Sequence, residues 1–350
     1  MKAAVFTGVQ QLQVTDIPYP ECGDGEVILK VASCGICGSD LRNFKVGLRH
    51  GVERQVMGHE FSGEVVEVGK NVSGYSKGDR VAGGPDVTCG SCYYCRRCLN
   101  NLCVNHKMLG THWPGAFAEY IKLPSIVLQR GTIHHIPQGL SLDRAALAEP
   151  CSSVLASQKN ACVSLEDTVL IFGDGPMGCV HLEVARARGA SRIIIVGLDR
   201  LDEAARFEPD YLIDASSRDP VEEVLNITGG LGADKAICAV PVAQVQQQAV
   251  KAVRKRGIII LFGGLPKSDP MTSLDSNTIH YNEINLMGAF SYPPTAHEEA
   301  LRILAEEKVH PDKIFTRILP LDRIEEGFRL ASEGKELKVL IKPWLKESAQ

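Results

Sequence analysis

No stretch of this 350-residue sequence is apolar for long: none reaches the ~18–20 residues that a bilayer-spanning helix needs. An excess of positive charge is also missing. Lys and Arg number 38 against 42 Asp and Glu, a formal net charge of −4. A surface built for nucleic acid or an anionic membrane carries a basic excess, so neither partner is expected. Met1 to Gly8 is too short and too soon broken to read as a signal peptide, so no export signal and a cytoplasmic protein are expected. Internal repeats and low-complexity tracts are absent, and only Lys346 to Gln350 reads as a loose tail. What is present is ordinary for a globular chain, 44% hydrophobic and 23% charged. At roughly 150 residues per domain the length suggests two domains, large enough to bury a core without disulfide staples.

Cysteine is not scarce. There are 12, and in a chain without an export signal they are expected to stay reduced, so a cluster of them points to metal. Cys89, Cys92, Cys95 and Cys103 follow C-x2-C-x2-C-x7-C. Four thiolates this close can wrap one tetrahedral zinc in a closed shell that leaves no position for substrate. Cys98 opens another reading, because Cys89 to Cys98 also runs C-x2-C-x2-C-x2-C. That approaches an iron–sulfur pattern, but the last spacing is one residue short and no proline follows. Structural zinc with Cys98 spare is preferred.

A second group is spread along the chain. Cys37 lies in Gly35-Ile36-Cys37-Gly38-Ser39-Asp40, His59 and Glu60 follow in Gly58-His59-Glu60, and Glu149 stands before Pro150. Cys, His and a carboxylate on separate segments, with a fourth position open, form the pattern of a catalytic zinc. Taken singly each has a plainer reading: a core thiol, a hydrogen-bonded loop histidine, a charge at a helix start.

The texture of the chain changes near residue 165. Before it, short β-like runs (27–31, 63–68, 80–82) are punctuated by Gly, Asp and Pro, as in a β-barrel. After it, the apolar runs 169–172, 193–196, 235–238 and 258–262 alternate with helical patterns, which implies a parallel sheet covered on both faces. Helices at about 296–307 and 322–333 and a strand at 338–341 close the chain. The first of the apolar runs enters Gly173-Asp174-Gly175-Pro176-Met177-Gly178. A G-x-G-x-x-G between strand and helix lets a pyrophosphate approach the helix N-terminus, so a dinucleotide site is expected there. An acid at the end of the second strand binds the ribose of NAD. Gly197 stands where that acid is expected, and Asp199 comes two residues late. Gly197 leaves room for a 2′-phosphate that Arg200 could pair with. Alternatively Asp199 still reaches the ribose. Both NAD and NADP stay open, with NAD favoured.

These motifs together resemble the zinc-dependent medium-chain dehydrogenases over nearly the whole chain. The ordered set is Gly35 to Asp40, Gly58-His59-Glu60, Gly78-Asp79-Arg80-Val81, the four-cysteine lobe, Gly115-Ala116-Phe117-Ala118-Glu119-Tyr120 and Gly173 to Gly178. Glu149-Pro150 looks most like the polyol and threonine dehydrogenase branch. The resemblance implies an α/β fold: a GroES-like, β-rich catalytic domain over 1–145 and 290–350, with the cysteine lobe at about 85–110, and a doubly wound Rossmann domain over 146–289. It implies a catalytic zinc held by Cys37, His59 and Glu60, with Glu149 bound directly or through water and Cys151 a weaker alternative, so two zinc ions per chain. Ser39 matches the family's proton-relay hydroxyl and Asp40 the acid that orients the zinc-bound histidine.

Two departures matter. Arg42 stands where the branch often has a proton-carrying histidine, and Arg does not shuttle protons near neutral pH. Ser291 replaces the arginine of sorbitol-type members, which points away from sorbitol itself. The implied activity is hydride transfer between NAD(P) and a secondary alcohol or ketone of a polyol, cyclitol or sugar derivative. Oxidation of a threonine-like amino alcohol and a non-catalytic relative are the alternatives. Pocket walls are expected from loops around 44–52, His112-Trp113 and Tyr292. The apolar run 283–290 would be an exposed sheet edge, and with the family's habit this implies a homo-oligomer, a homodimer or a homotetramer, the tetramer favoured.

Overall fold

The computed structural model describes residues 1–48 and 51–346. Arg49 and His50 of the expected pocket loop, and Glu347 to Gln350 of the expected tail, lie outside the described residues. The chain divides into two compact units, Met1–Ser152 with Tyr292–Glu307 and Ile314–Gln350, and Ser153–Ser291 with Lys308–Lys313. The first boundary falls at Ser152 rather than residue 145, inside the helix Ala148–Asn160. Lys308–Lys313 goes to the second unit because Glu183, only 2% exposed, takes the His310 backbone N–H at 2.8 Å and its imidazole Nδ1 at 2.6 Å.

The first unit is built on antiparallel strands. Val27–Gly35 is buried at most positions and pairs with Glu60–Val68, which pairs with Arg80–Val87. Tyr120–Leu123 joins the first of these and Gly131–His135 the last. A smaller sheet runs Gln11–Asp16, Lys2–Gly8, Gln55–Val56. Phe6, Phe61, Phe117, Ile121 and Leu123 fill the core of this unit. One strand escapes the sequence pattern. Phe315–Pro320 pairs parallel with Lys338–Lys342 at the sheet edge. Its solvent-facing Arg317 and closing Pro320 suit an edge position and hide the alternation.

The second unit is a six-stranded parallel sheet ordered Tyr211–Asp214, Arg192–Gly197, Thr168–Phe172, Ala233–Cys238, Val253–Leu261, Asn285–Gly288. Thr168–Phe172 is buried at every position, as a strand covered on both faces must be. The strand order reverses beside Thr168–Phe172, so the turn that follows it opens at the topological switch point where such sheets bind ligands. Asn285–Gly288 is the edge strand, with Leu286 and Phe290 exposed.

Candidate active site

Cys37 ends the approach from Val27–Gly35 and caps the helix Gly38–Val46. Its thiol sits 3.5 Å from the Ser39 N–H, and its own N–H donates to Asp40 Oδ2 at 3.0 Å. This reciprocal box fixes the thiol at the helix start. His59 is placed by a separate seam. Residues 115–117 bond along 56–58, with Gly115 N–H to Val56 O at 2.7 Å, Ala116 N–H to Gly58 O at 2.9 Å and Phe117 N–H to Met57 O at 3.0 Å. Glu60 opens the strand Glu60–Val68. The result is that Cys37, His59 and Glu60 each offer a ligand atom within 4.8 Å of the others.

Two carboxylates have opposite roles around this group. Asp40, 2% exposed, turns Oδ1 to His59 Nδ1 at 3.4 Å. With the Nδ1 proton facing that acid, Nε2 is left with the lone pair for a metal. Ser39 Oγ lies 3.4 Å from Nε2, on the same side. Burial works against charge on His59, but the Asp40 carboxylate and the Cys37 thiol outweigh it and hold the imidazole well above its usual range. Glu60 is paired with Lys338, whose Nζ donates to Oε1 at 2.9 Å and also lies 2.6 Å from Oε2, off the hydrogen-bond direction. Burial alone would lower the Lys338 pKa, yet the neighbouring Glu60 and Cys37 charges raise it.

Glu149 is buried, and its carboxyl is not among the three close ligands. Tyr292 OH donates to its Oε1 at 3.0 Å. Burial pushes the Glu149 carboxyl up to about 8, helped by Glu60 and Asp86 and opposed by His59 and the Tyr292 hydrogen bond. Cys151 is buried and is likewise outside the group. Arg42 is exposed on the helix Gly38–Val46. Sequence analysis misses Lys338: a lysine beside the apolar run 339–341 needs a partner once buried, but no local pattern names Glu60 as that partner.

The donor sets fit zinc. A thiol, an imidazole with an oriented tautomer and a carboxylate are the donor types of a three-ligand zinc site. The second group is Cys89, Cys92, Cys95 and Cys103, also mutually within 4.8 Å. Cys98 stands outside it, exposed, with a left-handed backbone at φ 60°, which disfavours the iron–sulfur alternative. Backbone N–H groups of Ser91 and Cys92 draw the Cys89 thiol down to about 5, and those of Cys95 and Val104 lower Cys92. Burial pushes Cys103 the other way, to about 12. Two thiolates already favoured by the backbone suit a cation.

In the second unit, Gly173 follows the strand with φ 131°, Gly175 caps the helix Pro176–Ala187, and Pro176 takes its first turn with Met177. A Cβ on Gly178 would stand 1.9 Å from Gly173 O, so only glycine lets helix and turn close. Orphan N–H groups at this helix start can meet a pyrophosphate. The expected space over Gly197 is not there. A Cβ on Gly197 would meet the Asp174 Oδ2 at 2.5 Å, because the Asp174 side chain leans over the strand end. Asp199 is exposed, and Arg200 Nη1 comes within 3.8 Å of the place a Gly175 Cβ would take.

Comparison with known proteins agrees with this chemistry. Residues 23–132 match the family model for an alcohol dehydrogenase GroES-like domain, and residues 176–306 match that for a zinc-binding dehydrogenase. D-arabitol-phosphate dehydrogenase of Enterococcus avium is 35% identical over 95% of this chain and 94% of its own. A sorbitol dehydrogenase of Bacillus subtilis is 33% identical, covering 98% and 97%. The crystal structure of 2R,3R-butanediol dehydrogenase from Bacillus subtilis superposes with a TM-score of 0.88 at 29% identity, covering 98% of this chain and 99% of that one. Family models that match both parts of the chain, and relatives a third identical along nearly all of it, place the chain in the polyol branch of the zinc-dependent medium-chain dehydrogenases, oxidoreductases that work with NAD(P).

Proposed function

We propose that the chain oxidises a secondary alcohol on a polyol, cyclitol or sugar derivative, free or phosphorylated, with NAD as the hydride acceptor, and reduces the matching ketone in reverse. The observation that carries this reading is the meeting of Cys37, His59 and Glu60 from separate segments. These three would hold the catalytic zinc, with Glu149 a direct or water-linked partner. Cys89, Cys92, Cys95 and Cys103 hold a second, structural zinc, giving two per chain. A zinc ion bound there would supply Lewis acidity, making a substrate hydroxyl easier to deprotonate near neutral pH.

The residues around that site divide the remaining work. Ser39 Oγ, beside His59 Nε2, is placed to relay the hydroxyl proton, taking it up as it passes its own proton on towards the cofactor ribose and bulk water. Asp40 keeps the imidazole turned, and Lys338 balances the buried charge of Glu60. Tyr292 steadies Glu149. Gly173, Gly175, Pro176, Met177 and Gly178 hold the dinucleotide pyrophosphate. The exposed edge Asn285–Gly288 supports a homo-oligomer, a dimer or, with the family's habit of pairing dimers again, a tetramer, and the protein works in the cytoplasm.

The test is a substrate panel with zinc-loaded protein: sorbitol, arabitol, arabitol phosphate, inositol, butanediol and threonine, each with NAD and NADP. Reduction of NAD with a polyol or its phosphate supports the proposal. A rate on threonine alone, or on none of them, overturns it.

A further inference from the structure

Asp174 is the variable second residue of the glycine turn, yet its side chain does not project into solvent. It is 7% exposed, and it reaches across to the end of the neighbouring strand Arg192–Gly197. There Oδ2 accepts the backbone N–H groups of Leu198, Asp199 and Arg200 at 2.8, 3.0 and 2.7 Å. Three charge-assisted hydrogen bonds to one oxygen fix the carboxylate in place. Oδ1 accepts no hydrogen bond from any described residue. The position that Asp174 fills is the one a side chain at 197 would start from, since a Cβ there would lie 2.5 Å from Oδ2 and 2.7 Å from Cγ.

In dinucleotide-binding sheets an acid at the end of the second strand takes the adenosine ribose hydroxyls and excludes a 2′-phosphate by like charge. Here that strand ends in glycine. We propose that Asp174 supplies this carboxylate from the first strand's turn instead, and is the residue that makes the chain select NAD over NADP. The inference rests on the reading above that the Gly173–Gly178 turn holds a nicotinamide dinucleotide. Arg200 is the competing feature, because a guanidinium beside the same turn could welcome a 2′-phosphate. Asp174 dominates because three backbone N–H groups hold its charge in one geometry at the end of the second strand. Gly197 is then explained as well: it is the vacancy that lets Asp174 lean over.

The test is equilibrium binding of NADH and NADPH, read by the fluorescence of the reduced nicotinamide, with no turnover required. Wild-type protein should bind NADH at least tenfold more tightly than NADPH. Asp174→Asn keeps the shape and removes the charge, and should shrink that ratio about tenfold while a thermal melt reports that it is folded. The double variant Asp174→Gly with Gly197→Asp moves the carboxylate to the strand end and should restore the ratio. Tighter binding of NADPH by the wild type overturns the proposal without any variant. So does an unchanged ratio in folded Asp174→Asn, and in both cases the dinucleotide site itself stands. Binding of neither nucleotide overturns the dinucleotide site and the role of Asp174 together.

Discussion

Asp40 joins the two candidate zinc ligands that sequence separates: one carboxylate oxygen takes the Cys37 N–H at 3.0 Å and the other faces His59 Nδ1 at 3.4 Å. The helix start and the end of the 56–58 seam are thereby locked to a common group. Loss of that charge should loosen the metal before it loosens the fold.

Asp40→Asn should accordingly weaken zinc binding at the three-ligand site by about 10–100-fold, the usual cost of losing an orienting acid. A competition titration against a chelator measures it. An affinity within twofold of wild type would mean that Asp40 serves only the helix cap.

Cys92→Ser should lower zinc content from two ions per chain to one and lower thermal stability with it, since structural metal binding is coupled to folding. Two ions retained with an unchanged melt would remove the structural-zinc assignment.

Gly197→Asp alone should destabilise the second unit. Its Cβ would press on Asp174 at 2.5 Å, and overpacking of this kind costs about 1–3 kcal/mol, before the repulsion between two carboxylates is added. From sequence alone this substitution reads as a simple gain of NAD preference, because the lean of Asp174 into that space is a tertiary fact. A thermal melt within a degree of wild type would contradict the geometry.

Light scattering should give a mass well above the single-chain 38.0 kDa at micromolar concentration. Leu286→Pro, which removes a ladder N–H from the edge strand, should reduce that mass. A monomeric wild type would leave the edge to be covered in another way.

Much of this was legible in the chain. The continuous apolar runs at 169–172 and 193–196 are strands because both faces are covered, and the glycine turn follows as its spacing implies. The four-cysteine set was readable from local spacing, and the structure excludes Cys98 from it. What could not be read was long-range. Lys338 meets Glu60 across 278 positions, and Tyr292 meets Glu149 across 143. No periodicity carries such pairs. The edge strand Phe315–Pro320 was missed because exposed Arg317 and Ile318 sit side by side before buried Leu319 and Pro320, which leaves no alternation to read.

The account stands on Cys37 and His59 sharing one catalytic metal. The most direct measurement compares His59→Ala with wild type for polyol-dependent NAD reduction, NADH binding and zinc content in the same preparation. The rate should fall by at least about a thousandfold, one zinc should be lost, and NADH should bind within about twofold of wild type, because the nucleotide residues lie in the other unit. A variant that still turns over at near the wild-type rate would contradict the account at its centre.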